Sequence, residues 1–76
     1  MLQPHQQRVV NEFQDLQQKV TSLNAFLSKP EARQLAGEIE YERLQTQFLL
    51  MVAYQSLLAL RIGDFQQNNN NGSGRL

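Results

Sequence analysis

The feature that most constrains this chain is a heptad seam of apolar residues near its N-terminus. Between residues 4 and 27 the apolar side chains recur at alternating steps of four and three: Val9, Phe13, Leu16, Val20, Leu23 and Leu27. This spacing predicts a helix that packs along its length against another helix. Pro4 suits a first helical turn, where its missing N–H costs no hydrogen bond, so we expect the helix to begin near residue 4.

The stretch SKPEARQLAG interrupts the helical pattern. Proline disfavours the α conformation in the residue before it, so Lys29 should leave the helix. Ser28 and Glu31 form an S-x-x-E pattern, which predicts a capping box for a second, short helix. That helix should run from about Pro30 to Leu35 and end near Gly37.

A second long helix is predicted from about Gly37 or Glu38 to Phe65, and it carries two apolar seams. One seam contains Leu44, Phe48, Met51, Leu58, Ile62 and Phe65 and is interrupted at Gln55; the other contains Leu50, Tyr54, Leu57 and Arg61. Two seams predict two neighbours, and the first helix covers only one of them. We therefore predict an all-α fold in which two long helices joined by a short helix form an antiparallel hairpin, which assembles into a compact homo-oligomer.

Composition supports one small domain that associates with copies of itself. Residues 1–65 form the predicted helical domain, and residues 66–76 a disordered tail rich in Asn, Gly and Ser. A core of this size rarely supplies more than ~3–5 kcal/mol. The chain has no cysteine and one histidine, so neither a disulfide nor a metal site is expected to add to it. The apolar stretch FLLMVAYQSLLAL is shorter than the ~20 residues of a spanning helix, which predicts a cytoplasmic protein without a membrane partner.

Charge and motifs exclude several classes of function. Seven basic and seven acidic residues cancel, so no positive field attracts a DNA or RNA duplex. The sequence has no Gly-rich phosphate loop, no H-E-x-x-H pattern and no recognisable nucleophile with its base. We therefore expect a protein that is not an enzyme and uses no cofactor.

Binding of a small anionic ligand remains open at the bend and on the second long helix. Lys29 and Ser28 are either a solvated lysine beside a cap or a cation and a hydroxyl around a phosphate. Arg61 either pairs with a carboxylate of a neighbouring subunit or presents a bidentate fork to phosphate. Phe13 and Tyr54 are either core residues or surfaces on which a base stacks.

The opening turn, PHQQR, also has two interpretations. His5, Gln6 and Arg8 offer an imidazole, an amide and a guanidinium, which can donate or accept hydrogen bonds to base edges or phosphates. The same residues serve equally as the solvated polar start of a packing helix. Spacing does not choose between a cap and the rim of a site.

Taken together, four segments resemble a known family. PHQQRVVNE, KVTSLNAFL, ERLQTQ and MVAYQSLLALRIGDF, spread over residues 4–65, are similar to small bacteriophage anti-CBASS proteins that act as cyclic-oligonucleotide sponges. The resemblance implies helical oligomers, hexamers in the characterised cases, that bind cyclic dinucleotides such as cyclic GMP–AMP between protomers and cyclic trinucleotides at separate sites. It implies no cleavage: in the cytoplasm of the infected bacterium, holding the messenger prevents activation of the antiphage effector.

The resemblance also implies which residues form these sites. In the cyclic dinucleotide site Phe13 would stack on the base, Ser28 and Lys29 would lie near the phosphates, and Arg61 would come from the last helix. Tyrosine is more usual at the stacking position, so Phe13 keeps the π face and loses the hydroxyl. The implied second, trinucleotide-type site includes His5, Gln6 and Arg8. The alternative function is a structural or adaptor oligomer that binds another protein through an apolar face.

Overall fold

The computed structural model describes residues 2–71, with side chains described through Phe65. It contains three helices and, within the described residues, no strand: α1 (Pro4–Leu27), α2 (Ala32–Ala36) and α3 (Glu38–Asn71). The helices α1 and α3 are antiparallel, since Glu12 contacts Tyr54 across the pair, while Asn24, later in α1, lines a groove with Tyr41, earlier in α3. The predicted all-α class, with two long helices and one short one, is confirmed.

The core lies where the seam of α1 meets the first seam of α3. Leu58 is fully enclosed and Val9 is 7% exposed, while the other predicted seam residues of both helices are half-buried. Ala32 of α2, 1% exposed, closes the core at the bend. Leu58, Val9 and Ala32 are the buried hydrophobic residues of the described part of the chain, so the hydrophobic core of one protomer is small.

Local hydrogen bonds at the start of α1 and at the bend set the boundaries of the helices. The helix α1 begins at Pro4 as predicted, and Gln6 Oε1 accepts a hydrogen bond from the Gln3 backbone N–H at 2.9 Å. The predicted capping box of Ser28 and Glu31 is wrong, because α2 begins only at Ala32 and has no side-chain cap.

The reason is the turn that precedes α2. Ser28 remains at the C-terminal end of α1, where its N–H donates to the Asn24 carbonyl at 3.0 Å. The Lys29 carbonyl then accepts from the Ala32 N–H at 3.1 Å, so a turn separates Ser28 from α2. As predicted, α2 ends at Gly37, whose φ of 92° and ψ of 152° lie in a region that essentially only glycine occupies.

The helix α3 ends later than predicted. It continues through Asn71, six residues beyond Phe65, and passes Gly63 and Asp64 without a break. A glycine in a helix interior costs only about 1 kcal/mol, whereas each further residue adds a backbone hydrogen bond. Residues 72–76 of the predicted tail lie outside the described residues.

The hairpin is elongated, with extents of 55 × 22 × 16 Å and a radius of gyration of 17.0 Å. A compact chain of this length would have a radius of gyration of about 11 Å. Two helices side by side cannot enclose each other, so the side of α3 turned away from α1 faces outward.

By length and composition, α3 is also apolar enough to cross a membrane. An 18-residue window within Glu38–Phe65 has a mean hydropathy of 1.4, and 6% of it is buried. This finding differs from the expectation that the apolar stretch is too short, because the window takes in flanking residues that carry few charges. A helix whose outer face packs against other helices has the same composition. This finding alone therefore does not distinguish lipid from other helices as the neighbour of α3.

Candidate functional site

The opening turn of α1 serves as a cap. Gln6 is half-buried and its side chain accepts from the Gln3 N–H, which satisfies a donor that the helix leaves unpaired. His5 and Arg8 are exposed on the same turn. The structure therefore gives Gln6 a structural role and leaves His5 and Arg8 free to meet solvent or a ligand, and the predicted trinucleotide site stays a prediction.

At the bend, Ser28 and Lys29 point in different directions. Lys29 Nζ lies 5.8 Å from the centroid of the Phe26 ring, a cation–π contact on one side of the helix pair. Ser28 lines a groove on the opposite side, together with Asn24 and Tyr41. The two neighbours in sequence therefore do not form one phosphate cluster within a protomer.

The other two predicted residues lie toward the far end of the hairpin. Phe13 is half-buried, and the adjacent Glu12 accepts a 2.5 Å hydrogen bond from the Tyr54 hydroxyl across the helix pair. This bond is the main cause that raises the pKa of Tyr54, and nearby Arg61 acts in the opposite direction. Arg61 itself is exposed on α3.

Helix geometry separates the four residues predicted for the cyclic dinucleotide. Phe13 and Ser28 are fifteen residues apart on one straight helix, about 22 Å along its axis at 1.5 Å per residue. Arg61 is twenty residues, or about 30 Å along α3, from Tyr41, which lines the same groove as Ser28. One protomer does not bring Ser28 and Lys29 to Phe13 and Arg61, so a site that includes all four needs more than one copy of the chain.

Two open grooves flank the α1–α3 pair near the bend. The first, which we call the Phe26 groove, has a volume of about 630 Å³ and is lined by Gln18, Lys19, Ser22, Leu23, Phe26, Leu44, Gln47 and Met51. The second, the Tyr41 groove, has a volume of about 660 Å³ and is lined by Asn24, Leu27, Ser28, Tyr41, Glu42, Gln45, Thr46, Phe48 and Leu49. The Phe26 groove has one aromatic ring and the Tyr41 groove has two, Tyr41 and Phe48, and both grooves add amides and hydroxyls, which are groups that suit a polar ring system.

The charges of the two grooves differ. Lys19 lines the Phe26 groove, Lys29 lies over its ring, and none of the described residues that line it is acidic. In the Tyr41 groove Glu42 contributes a carboxylate, and the Arg33 guanidinium lies over the Tyr41 ring, 4.5 Å from its centroid.

Arg33 is held in place by an ion pair. Its Nη1 lies 2.8 Å from Glu38 Oε1, and this hydrogen bond is the main cause that raises the pKa of Arg33. The guanidinium is therefore already paired at the start of α3. The Phe26 groove is the better receptor for an anion, because its cations have no carboxylate partner among the residues that line it.

A third surface is apolar. We call it the leucine face: Leu49, Leu50, Leu57 and Leu60 on α3, which are 66%, 66%, 50% and 69% exposed. Leu50 and Leu57 belong to the second predicted seam, and Leu49 and Leu60 widen it; Leu49 also lines the Tyr41 groove. Contiguous leucines exposed over several helical turns are rare on a soluble monomer and indicate an interaction surface.

Sequence patterns missed three side chains at these sites. Phe26 lies outside the predicted seam and belongs to no motif, and its spacing of three from Lys29 is the signal that pairs them at one helix end. Lys19 and Tyr41 carried no motif. Within the described residues, no group of three His, Cys, Asp or Glu side chains lies close enough to hold a metal ion.

Comparison with known proteins gives one family. The model of the Sequestin family matches residues 3–64, which is most of the chain and includes α1, α2 and nearly all of the part of α3 that pairs with α1. Neither the curated proteins nor the solved structures contain a match to this chain.

Proposed function

The chain belongs to the Sequestin family, and on that premise we propose that it binds cyclic oligonucleotide second messengers and holds them without cleaving them. This family corresponds to the sponge-type anti-CBASS phage proteins that the sequence resembles, so the resemblance is confirmed. The family match is the observation that carries the proposal, since the family name itself denotes sequestration. The ligands we propose are cyclic dinucleotides such as cyclic GMP–AMP, and cyclic trinucleotides at a second site.

The charge distribution supports a ligand of this kind. The whole chain is neutral, but Lys19 lines the Phe26 groove and the Lys29 ammonium lies 5.8 Å from the centroid of the Phe26 ring. A cyclic dinucleotide carries two phosphates, so local cations suffice to bind it and no broad basic surface is needed. A sponge acts by occupancy alone, which requires affinity and no catalytic group.

We further propose that the protein works as a homo-oligomer, a hexamer if it follows the characterised sponges. The leucine face supports this proposal, because its exposed leucines are not covered by any part of the same protomer and can be buried against another molecule. A second copy suits it better than lipid, since the turn of α3 just before these leucines carries the exposed amides of Gln45 and Gln47, which hydrocarbon would leave poorly hydrogen-bonded. Copies side by side would also join residues that one protomer keeps about 22–30 Å apart.

In this proposal the protein acts in the cytoplasm of a bacterium infected by the phage that encodes it. By keeping the free messenger below the level that the antiphage effector needs, it blocks activation of that effector. The protein competes best if its groups are already ordered, and side chains on packed helices lose little entropy on binding.

Calorimetric titration with a panel of cyclic di- and trinucleotides tests this function. We expect saturable heat with at least one member of the panel, and the same nucleotide recovered intact by chromatography after heat denaturation. A linear dinucleotide of the same bases serves as the matched ligand control. No heat from any cyclic nucleotide would refute the proposal, and recovery of a linear product would show an enzyme instead of a sponge.

An adaptor that binds another protein through the leucine face is the second candidate, and the exposure of that face favours it. The two functions differ in their need for cations. Lys29→Ala and Arg61→Ala should abolish nucleotide binding and leave the oligomer intact if the protein is a sponge, whereas an adaptor would keep its activity in both variants.

A further inference from the structure

A stripe of exposed residues runs along α3 on the side turned away from α1. Its members recur at alternating steps of four and three residues, which is the heptad spacing of a helix that packs against a second helix. We call it the outer stripe, and every member is exposed in the protomer: Ile39, Arg43, Thr46, Leu50, Ala53, Leu57, Leu60 and Asp64. It contains three of the four leucines of the leucine face and continues beyond them at both ends.

The outer stripe is apolar in its middle and carries two charges of opposite sign near its ends. Arg43 lies two turns before Leu50, and Asp64 lies one turn after Leu60. Neither charge forms an ion pair with another residue of the described part of the chain. Two parallel copies in register would put arginine against arginine and aspartate against aspartate. Two antiparallel copies would bring opposite charges together, and charges beside a helical seam set the orientation of the pair.

The apolar residues fix the register of an antiparallel pair. When residue 55 lies at the two-fold axis, Leu50 is opposite Leu60 of the partner subunit and Ala53 is opposite Leu57 of the partner subunit. Every leucine of the stripe then meets an apolar side chain. Sliding one copy by a heptad in either direction would place Thr46 or Asp64 against an apolar residue, which leaves a polar group in the contact without a partner.

The same register brings the two charges within reach of each other. Asp64 of the partner subunit lies level with Thr46, and Arg43 lies three residues before Thr46, about 4.5 Å along the axis. An arginine side chain spans that distance and presents two N–H groups to a carboxylate. Because the pair is symmetric, the ion pair occurs twice, once at each end of the contact.

The length of α3 favours the same arrangement. Pro4, where α1 begins, lies eight residues before Glu12, and Glu12 lies opposite Tyr54, so α1 reaches only to about residue 62 of α3. The helix α3 continues to Asn71, which is about 13 Å further. In the antiparallel pair these last turns run alongside residues 39–44 of the second copy, where the outer stripe begins. The second copy thus supplies a neighbour where α1 has ended.

We propose that two copies of this chain pair in antiparallel orientation through the outer stripe, with Leu50 against Leu60 of the partner subunit and Arg43 joined to Asp64 of the partner subunit. The inference rests on the homo-oligomer proposed above and deepens it, because it names the surface, the orientation and the ion pair of one contact. Two hairpins joined in this way place their α3 helices side by side. The exposed leucines are then covered and both charges are paired.

Cysteine cross-linking tests the orientation, because the chain has no cysteine of its own. Two full-length variants, Leu50→Cys and Leu60→Cys, are oxidised separately and as an equimolar mixture after exchange of subunits. A disulfide requires Cα atoms within about 7 Å, so we expect a covalent dimer only in the mixture. A dimer formed equally well by either variant alone indicates parallel pairing and overturns the proposal. No dimer in any sample, while light scattering shows the variants assembled, overturns it as well.

Charge exchange tests the ion pair. Arg43→Asp and Asp64→Arg each bring like charges together in the antiparallel contact. An exposed ion pair contributes at most about fivefold to affinity and the contact contains two, so each single variant should associate about two- to thirtyfold more weakly. The double variant restores the pair with its charges exchanged and should recover the association, and added salt should reduce the difference. A double variant that associates no better than the single variants refutes the pair.

The outcomes separate this inference from the proposed function. If the unmodified protein assembles and binds a cyclic nucleotide but neither test gives the expected result, the antiparallel contact is wrong and sequestration stands. An assembled protein that cross-links as expected but binds no cyclic nucleotide supports the contact and refutes only the sequestering function. A protein that stays monomeric at every concentration overturns the contact, and flotation with vesicles of phosphatidylethanolamine and phosphatidylglycerol would then assign the outer stripe to lipid.

Discussion

Two leucines of α3 should respond to the same truncation in different ways. Leu58 is 0% exposed, enclosed between α1 and α3. Leu58→Ala should lower the free energy of unfolding of the protomer by about 2–5 kcal/mol, the cost of truncating a buried leucine. A core of this size supplies only about 3–5 kcal/mol, so the variant should be largely unfolded when diluted until the copies separate.

Leu60 lies two residues further along the helix and is 69% exposed. Leu60→Ala should change the unfolding of a separate protomer by about 0.5 kcal/mol or less. Between copies the effect differs: burying a whole leucine is worth about 1.5–3 kcal/mol, so burying the exposed fraction is worth about 1–2 kcal/mol per copy. Association should weaken roughly five- to thirtyfold for each such contact.

Urea unfolding followed by circular dichroism, repeated over a wide range of protein concentration, separates the two effects, and light scattering reports the assembly. Leu58→Ala should lower the midpoint at every concentration, and Leu60→Ala should do so only where the unmodified protein is assembled. Equal effects of both substitutions at the lowest concentration would refute the assignment of Leu58 to the core. Unchanged association in Leu60→Ala would refute the role of the leucine face.

Three further predictions follow from the local geometry. Gly37→Ala should destabilise the protomer by about 1–3 kcal/mol, measured by urea unfolding, because its φ and ψ strain any residue with a Cβ although that atom would meet nothing within 4 Å. In Tyr54→Phe the alkaline loss of stability should be smaller: the hydrogen bond to Glu12 raises the pKa of Tyr54 above 10, so its stabilising effect is complete below pH 10 and is lost as pH rises through the raised value. Ser28→Ala should change stability by about 0.5 kcal/mol or less, because Ser28 caps no helix with its side chain.

Each of these has a control or a decisive opposite result. Gly63→Ala, in the interior of α3 with open space around it, should instead stabilise or leave stability unchanged, and equal losses at the two glycines would contradict the strain at Gly37. Melting temperatures of Tyr54→Phe and the unmodified protein should converge above pH 10, and a constant gap would contradict the assigned hydrogen bond. A loss of more than 1 kcal/mol in Ser28→Ala would restore the capping box.

The helices themselves were predictable because their signals are local. Each signal lies within one or two helical turns. The seam from Val9 to Leu27 predicts the first long helix, the proline after Lys29 predicts the break, and the two seams that follow predict the second long helix. The end of α3 was not predictable, because Gly63 and the following polar residues weaken a helix by amounts that the preceding turns can offset. The family resemblance was also readable from short helical motifs over residues 4–65.

The sequence by itself determined a helical hairpin with a surplus apolar seam on α3, since periodicity states which side chains share a face. Only the tertiary structure decided what those faces meet. It directed Lys29 onto Phe26 and Ser28 into the opposite groove, and it joined Tyr54 to Glu12 across forty-two positions. The reason is physical. At the bend, a turn of four residues sets the direction of each side chain, and antiparallel packing of α1 and α3 sets which distant residues meet. Neither of these can be read from a local sequence pattern.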